Sequence, residues 1–247
     1  YEAGVTVASA YPGTPSTEIT ESIATYDEIY AEWAPNEKVA LEVAIGASFA
    51  GARSVCAMKH VGLNVAADPL FTVSYTGVNG GLVVCVADDP GMHSSQNEQD
   101  SRHYARAAKV PMLEPSDSQE CKDYLIRALE LSEQFDTPFF LRLSTRISHS
   151  QSLVELADRT DVPLKEYVKD ANKYVMMPAM ARKRHVFVEE RMKRLGEYAN
   201  TTELNQIIWG SRDIGIITSG ISYQYSREAF GEVSFLKLGM VHPLPEK

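Results

Sequence analysis

The sequence predicts an α/β protein with a doubly wound parallel sheet, followed by the start of a second α/β domain. The first observation is that short apolar runs alternate with helix-like stretches through residues 1–145. This alternation is typical of a parallel sheet with helices on both faces. The second observation is a new apolar run at residues 214–220, which follows a polar stretch and ends in a glycine turn. A chain of 247 residues is long enough for one large domain or two small ones.

Each predicted strand is a short apolar run, and each predicted helix has apolar positions at helical spacing. The predicted strands of the first domain are residues 5–8, 39–41, 55–58, 82–87, 111–113 and 139–143. The predicted helices between them are residues 15–27, 42–53, 63–75, 101–107 and 117–135. The last helix has Ser116 and Gln119 in capping-box spacing at its start.

The remainder of the chain divides where its composition changes. Residues 146–205 are predicted to be a connector rich in Ser, Thr, Asp and Lys, which ends in a charged helix over residues 179–198. Residues 206–247 are predicted to begin the second domain, with strands at 214–220 and 233–238. The chain opens on what reads as the last turn of a helix and closes in a Pro-rich loop, so we expect it to be part of a longer polypeptide.

Composition argues against several classes of function. A formal net charge of -9 disfavours general binding to nucleic acid or to anionic membranes. No apolar run approaches the ~20 residues that a membrane-spanning helix requires. Cys56, Cys85 and Cys121 are widely spaced and form no Cys-x-x-Cys pattern, so buried reduced thiols are expected. Together these features predict a cytoplasmic protein.

The segment Tyr11-Pro12-Gly13-Thr14-Pro15-Ser16 is a rigid turn between the first predicted strand and the first predicted helix. Open α/β sheets bind ligands at the carboxyl ends of their strands. Pro15 suits a first helical position, with Thr14 as a possible cap, and the hydroxyl groups would then face the crevice. On geometry alone, however, this segment is also an ordinary strand-to-helix turn.

Two further groups of polar residues follow predicted strands. Lys59 and His60 come directly after the strand at residues 55–58, where they could bind a carboxylate or move a proton. Alternatively, Lys59 is a solvated strand-end charge and His60 a hydrogen-bonded loop residue. Asp88, Asp89 and His93 follow the strand at residues 82–87 and could line a pocket or contact a partner. A metal site is not expected there, because neighbouring aspartates point to opposite sides of an extended chain.

Four long segments, in this order, resemble the thiamine diphosphate (alpha) subunit of indolepyruvate:ferredoxin oxidoreductases, which belong to the 2-oxoacid:ferredoxin oxidoreductases. The segments are residues 10–19, 37–48, 58–66 and 87–99, and the similarity continues through residues 217–223 to the end. The resemblance implies that residues 1–145 are the pyrimidine-binding domain. It also implies that residues 206–247 begin a domain similar to the carboxyl-terminal domain of transketolase.

The resemblance also implies roles for individual residues. In this family a carboxylic acid contacts the aminopyrimidine ring of the cofactor and favours its reactive imino form. Glu42, which follows the predicted strand 39–41 and begins the next predicted helix, is the expected acid. Its alternative reading is an acidic first-turn residue that only complements the helix dipole. The other residues expected to bind the cofactor are Tyr11, Pro12, Thr14 and Asn64. The residues expected to contact the substrate are Thr14, Lys59, His60 and His93, with Lys59 and His60 also in catalysis.

The rest of the machinery is expected outside this chain. The sequence has no Gly-Asp-Gly motif for the diphosphate and Mg²⁺ and no cysteine cluster for iron–sulfur (4Fe–4S) groups. By resemblance, the intact enzyme converts an arylpyruvate and coenzyme A to an aryl-acetyl-CoA and passes electrons to ferredoxin. We therefore expect a second subunit and an oligomer, with this chain alone inactive.

Three alternatives remain. The first is a related enzyme for pyruvate or another aliphatic 2-oxoacid. Those relatives carry an arginine where this chain has Asp88-Asp89-Pro90-Gly91, which disfavours that alternative. The second is a scaffold with the same fold and no cofactor, which the presence of Glu42 disfavours. The third is a flavodoxin-like nucleotide-binding module, which would need a glycine-rich phosphate loop after its first strand.

Overall fold

The computed structural model describes residues 1–247, which form ten strands and ten helices. The strands are β1 (Val7–Ala10), β2 (Tyr30–Trp33), β3 (Ser54–Lys59), β4 (Leu82–Asp88), β5 (Met112–Leu113), β6 (Phe139–Ser144), β7 (Asn205–Ile208), β8 (Ser211–Ser219), β9 (Val233–Leu238) and β10 (Met240–His242). The helices are α1 (Thr17–Ile23), α2 (Glu37–Phe49), α3 (His60–Val65), α4 (Ala67–Thr76), α5 (Arg102–Ala108), α6 (Ser118–Phe135), α7 (Thr145–Ser148), α8 (Ala171–Tyr174), α9 (Pro178–Ala199) and α10 (Gly220–Phe230).

A seven-stranded sheet with the order β10-β5-β6-β4-β3-β1-β2 forms the centre of the molecule. Its strands run parallel except β10, which pairs antiparallel with β5. Every residue of β3, β4 and β6 is buried. One core, on the side of α6 and α9, includes Val83 and Leu129, and a second, on the side of α2, α4 and α5, includes Val84 and Leu41. The predicted doubly wound α/β fold is therefore confirmed.

The carboxyl-terminal segment forms a smaller sheet and then returns to the first one. The smaller sheet has three strands in the order β7-β9-β8. Met240 of β10 then pairs with Leu113 of β5, so the last strand extends the central sheet. The smaller sheet thus lies within residues 205–238, while β10 returns the chain to the central sheet, and the division into two domains stays a prediction.

The strand predicted at residues 39–41 is wrong, because these residues lie in the first turns of α2. The Asn36 side chain accepts a hydrogen bond from the Val39 amide at 3.0 Å and starts the helix at Glu37. Glu42 consequently lies within α2 and does not begin it. The strand that pairs with β1 at this edge is β2, a half-exposed strand of four residues that was not predicted because it lacks an apolar run.

Two further helix predictions need correction. The first helix begins at Thr17, so Pro15 is not its first residue and Thr14 is not its cap; Ser16 precedes the helix instead. The helix predicted over residues 63–75 is two short helices, α3 and α4, which meet at Ala66.

The connector lies along the first domain without regular structure between residues 151 and 170. Backbone hydrogen bonds from Thr160 to Glu2 (3.1 Å) and from Lys165 to Gly51 (3.1 Å) attach it. Helix α9 then packs on α4, where the guanidinium of the fully buried Arg191 donates to the carbonyls of Ser74 and Asp136, both at 2.7 Å. None of the helices is long and apolar enough to cross a membrane.

Candidate functional site

Residues from four separate segments meet at the carboxyl edge of the central sheet. The segments are the turn after β1, the start of α3 after β3, the loop after β4 and the start of α7 after β6. Because β1, β3, β4 and β6 are parallel neighbours, their carboxyl ends lie side by side. This edge is the usual ligand-binding position in an open α/β sheet.

The turn after β1 is held by its own hydrogen bonds. The Gly13 amide donates to the Thr17 hydroxyl at 2.9 Å, and the Ser16 hydroxyl donates to the Gly13 carbonyl at 2.7 Å. The peptide bond between Thr14 and Pro15 is cis. The three residues predicted to contact the cofactor here are all exposed: Tyr11, Pro12 and Thr14. Their side chains are therefore free to contact a ligand.

Lys59 is buried at the end of β3, with only 7% of its surface exposed. Its Nζ donates to the Ser94 carbonyl at 2.8 Å, and it forms no ion pair with a carboxylate. The turn after β1 packs directly on Lys59, since a Cβ on Gly13 would be 3.2 Å from the Lys59 Cβ. The reading of Lys59 as a solvated charge is thus wrong. A buried ammonium group without a carboxylate partner is a natural binding group for an anion.

His60 is the first residue of α3 and is 1% exposed. Its Nε2 lies 3.1 Å from the Asn97 carbonyl oxygen. Because a carbonyl only accepts, we assign the proton to Nε2. Its Nδ1 is buried and has no hydrogen-bond partner. With the proton on Nε2, the Nδ1 atom is an acceptor without a partner.

Asp89 organises the loop that follows β4. Its buried carboxylate accepts hydrogen bonds from the His93 amide (3.2 Å), the Ser94 amide (2.8 Å), the Ser95 hydroxyl (2.6 Å) and the Thr145 hydroxyl (2.6 Å). Burial alone would raise the pKa of Asp89, but these hydrogen bonds outweigh it and hold that pKa well below its usual range. The loop is consequently fixed between β4 and β6.

Asp88 points into a separate buried network. It accepts hydrogen bonds from the Ser101 amide (3.0 Å) and the Arg142 guanidinium (2.8 Å), and Arg142 also contacts Glu114 at 2.7 Å. Asp88 and Asp89 therefore serve different partners. The described chain contains no group of three or more His, Cys, Asp or Glu side chains arranged to hold a metal ion. Sequence reasoning missed Arg142, because an arginine inside an apolar strand gives no signal of its partners.

A second carboxylate, that of Glu37, lies at the carboxyl edge of the sheet, where the chain leaves β2 and begins α2. Glu42 is exposed on α2. Glu37, the first residue of α2, is partly buried, and its carboxylate packs so closely on Gly62 of α3 that a Cβ there would collide with it. No protein group donates a hydrogen bond to Glu37. Asn36, a strong N-cap residue immediately before Glu37, was the sequence signal that could have located this helix start.

The remaining predicted residues lie on the rim of the crevice. Asn64 is exposed on α3, and its Oδ1 accepts a hydrogen bond from the Tyr104 hydroxyl at 2.5 Å. The His93 side chain is exposed on the loop fixed by Asp89. The structure thus brings Tyr11, Thr14, Lys59 and His60 to one edge, while Glu42 lies on the exposed face of α2.

Comparison with known proteins identifies the relatives of this chain. A family model described as "Pyruvate flavodoxin/ferredoxin oxidoreductase, thiamine diP-bdg" matches residues 1–207. The chain is 46% identical to indolepyruvate oxidoreductase subunit IorA of Archaeoglobus fulgidus, over 100% of this chain and 42% of that protein. It is 49% identical to IorA of Methanothermobacter marburgensis, over 99% of this chain and 41% of that protein. The chain spans about two fifths of the length of these relatives.

A solved structure has the same fold. This is a 2-oxoglutarate:ferredoxin oxidoreductase from Magnetococcus marinus, which matches with a TM-score of 0.75 over 98% of this chain and 52% of that chain. The sequence identity is 17%, so this match supports the fold alone.

Proposed function

Since this chain belongs to the thiamine diphosphate-binding domain family of the pyruvate flavodoxin/ferredoxin oxidoreductases, we propose that it forms the aminopyrimidine half of a thiamine diphosphate site in an indolepyruvate oxidoreductase. The observation that carries the proposal is the Glu37 carboxylate, which packs on Gly62 of α3 at the carboxyl edge of the sheet and has no protein hydrogen-bond donor. The names of the relatives support the reaction, and the geometry supports the position of the site.

The residues of the crevice fit an aminopyrimidine ring. Such a ring has nitrogen acceptors and an amino donor on its edge. Glu37 offers an unused carboxylate, His60 offers the buried unpartnered Nδ1, and Tyr11, 40% exposed, offers an aromatic surface. When bound, thiamine diphosphate supplies the nucleophilic carbon and the electron sink that oxidative decarboxylation of a 2-oxoacid requires.

The residues of this chain then bind and orient the cofactor and the substrate. Glu37 holds or releases a proton at its carboxylate oxygen, and its position at the first residue of α2 places it next to the positive end of the helix dipole. The ammonium group of Lys59, fixed by Ser94, attracts the carboxylate of the substrate. Tyr11, Pro12, Thr14 and Asn64 form the rim around the ligand.

The chain does not fit the other groups of the reaction. No cluster of side chains is arranged for a metal ion. Cys56 and Cys85 are buried, and burial raises the pKa of the Cys85 thiol to about 12, which opposes the thiolate that an iron–sulfur cluster needs. We place Mg²⁺, the iron–sulfur clusters and the diphosphate-binding part in other segments or subunits, and we derive no step through them.

The proposal includes the reactants of the intact enzyme. These are an arylpyruvate, coenzyme A and ferredoxin, with a second subunit in an oligomer. The names of the relatives support indolepyruvate as the substrate class. Location in the cytoplasm remains a prediction from the free thiols.

Viologen reduction by the full-length enzyme tests the proposal. The assay contains thiamine diphosphate, Mg²⁺ and coenzyme A, and compares indolepyruvate, phenylpyruvate and pyruvate for the wild type, Glu37→Gln and Glu42→Gln. Reduction that depends on arylpyruvate and falls about a hundredfold or more in Glu37→Gln is expected, because a positioned acid typically contributes that much.

The two glutamine variants separate the competing assignments. If Glu42→Gln loses the activity and Glu37→Gln keeps it, the assignment from the sequence pattern is right and ours is wrong. Activity with pyruvate alone would place the chain in an enzyme for aliphatic 2-oxoacids. Absence of cofactor binding in the complete wild-type assembly would indicate a scaffold.

A further inference from the structure

A cavity of about 690 Å³ lies beside the candidate site. Its walls come from the loop after β4, the start of α7 after β6 and the first turns of α10. It adjoins the site because the same loop borders both, with Ser94 contacting Lys59 on one side and His93 lining the cavity on the other. Pockets between structural units are common positions for ligands.

The lining of the cavity carries one arginine and no acidic side chain, although the chain as a whole is acidic. Its nine lining residues include Arg146, His93 and His149 and no Asp or Glu, while the chain carries a net charge of -9. Arg146 forms no ion pair and no side-chain hydrogen bond. The neighbouring Arg142, by contrast, is neutralised by Asp88 and Glu114. An unpaired guanidinium on a cavity wall matches the planar, bidentate geometry of a carboxylate or phosphate.

Buried residues that do not line the cavity hold two of its walls in place. Asp89 is fully buried and accepts hydrogen bonds from the His93 amide and the Thr145 hydroxyl, so it ties two walls together without lining the cavity itself. The third wall begins at Gly220, which starts α10 at a φ of 52° and lies so close to Glu114 that a Cβ there would be 2.6 Å from Glu114 Oε1. A site whose walls are fixed before binding loses less entropy on binding.

We propose that this cavity is a subsite for an oxyanion group of a reactant, held by Arg146 with His93 and His149 beside it. The inference rests on the proposed function, which supplies two reactants with such groups: the carboxylate of the 2-oxoacid and the phosphates of coenzyme A. Tyr225 and Ile221 on the third wall give the adjoining part of the ligand an apolar and aromatic surface.

Calorimetric titration of the full-length assembly, with thiamine diphosphate removed, tests the subsite without turnover. Coenzyme A, pantetheine and phenylpyruvate are titrated separately into the wild type, Arg146→Gln, Arg146→Lys and Arg182→Gln. Arg182 is the matched control, because it is an exposed arginine on α9 without an ion pair. Arg146→Lys retains the charge but loses the planar fork and should bind with intermediate affinity.

Each outcome decides between the sources of the oxyanion. Loss of a charge-assisted bidentate contact should weaken binding about tenfold or more. If the group is a phosphate, Arg146→Gln weakens binding of coenzyme A and leaves pantetheine, which has no phosphate, unchanged. If the group is the carboxylate, Arg146→Gln weakens binding of phenylpyruvate alone.

Two results would overturn the inference. One of them leaves the proposed function intact, and the other rejects it as well. If the wild type binds coenzyme A and phenylpyruvate and Arg146→Gln binds both as Arg182→Gln does, the subsite is wrong and the proposed function stands. If the wild type binds neither reactant, both proposals are wrong. Thermal unfolding of each variant identifies any that has lost its fold.

Discussion

Asp89 and Lys59 are buried side chains of opposite charge that share the partner Ser94 and yet differ in how fully they are satisfied. Asp89 receives hydrogen bonds from both backbone and hydroxyl groups, whereas Lys59 has only Ser94. The Asp89 carboxylate is consequently structural, whereas the Lys59 ammonium group retains donors for a ligand. This difference separates the residues that build the loop from those that bind.

The low pKa of Asp89 predicts how stability depends on pH. Because its folded pKa is depressed below the unfolded value near 4, its contribution is present above that pH and is lost as the pH falls toward the folded pKa. In Asp89→Asn, we expect a lower urea midpoint at pH 7 and a shallower decline between pH 6 and pH 3. Asp68→Asn is the control, since the Asp68 carboxyl is 76% exposed in a surface ion pair with Lys38. If the urea midpoints of Asp89→Asn and the wild type change with pH in parallel, the prediction is contradicted.

Contact between Glu37 and Gly62 predicts a selective effect on the site. In Gly62→Ala the new methyl group displaces the Glu37 carboxylate, so we expect at least about a tenfold loss of kcat/KM, because misplacing a reacting group by about 1 Å is that costly. Gly46→Ala on α2 is the control, because a Cβ there meets nothing within 4 Å. The control should retain activity and gain about 0.5–1 kcal/mol of stability. Equal activity of the two variants in viologen reduction would show that Glu37 does not act at the site.

At the level of elements, the predictions succeeded where the sequence pattern and burial agree. Strands β3, β4 and β6 are buried on both faces, and their continuous apolar runs identified them. Residues 39–41 are equally apolar, but Asn36 caps the chain into a helix before them. A short apolar run does not by itself distinguish a strand from the buried face of a helix.

Arg191 predicts how firmly α9 is attached to the first domain. Burial lowers the pKa of its guanidinium to about 10, yet it remains charged at neutral pH and donates to the carbonyls of Ser74 and Asp136. Arg191→Met should reduce the free energy of unfolding by about 3 kcal/mol, because both carbonyls lose a charged donor. Arg194→Met, on the exposed side of the same helix, should change it by less than about 0.5 kcal/mol. Equal denaturant midpoints for the two variants would show that Arg191 does not anchor the helix.

At the scale of the whole molecule, parallel topology explains why distant residues form one site. The hydrogen bond from Lys59 to Ser94 joins residues 35 apart, and that from Thr145 to Asp89 joins residues 56 apart. Both pairs meet because β3, β4 and β6 are neighbours whose carboxyl ends coincide. Helix α10, which follows β8 of the smaller sheet, then closes the cavity next to that edge.

The sequence by itself determined the fold class, the order of most elements, the family resemblance and the segments that form the crevice. These depend on local periodicity and on long motifs, which a single chain displays directly. Only the tertiary structure decided that Glu37 packs against α3 while Glu42 is exposed, that Lys59 is buried, and that Arg146 lines a cavity without a partner. The physical reason is that burial and pairing depend on segments that are remote along the chain and meet only when the sheet forms.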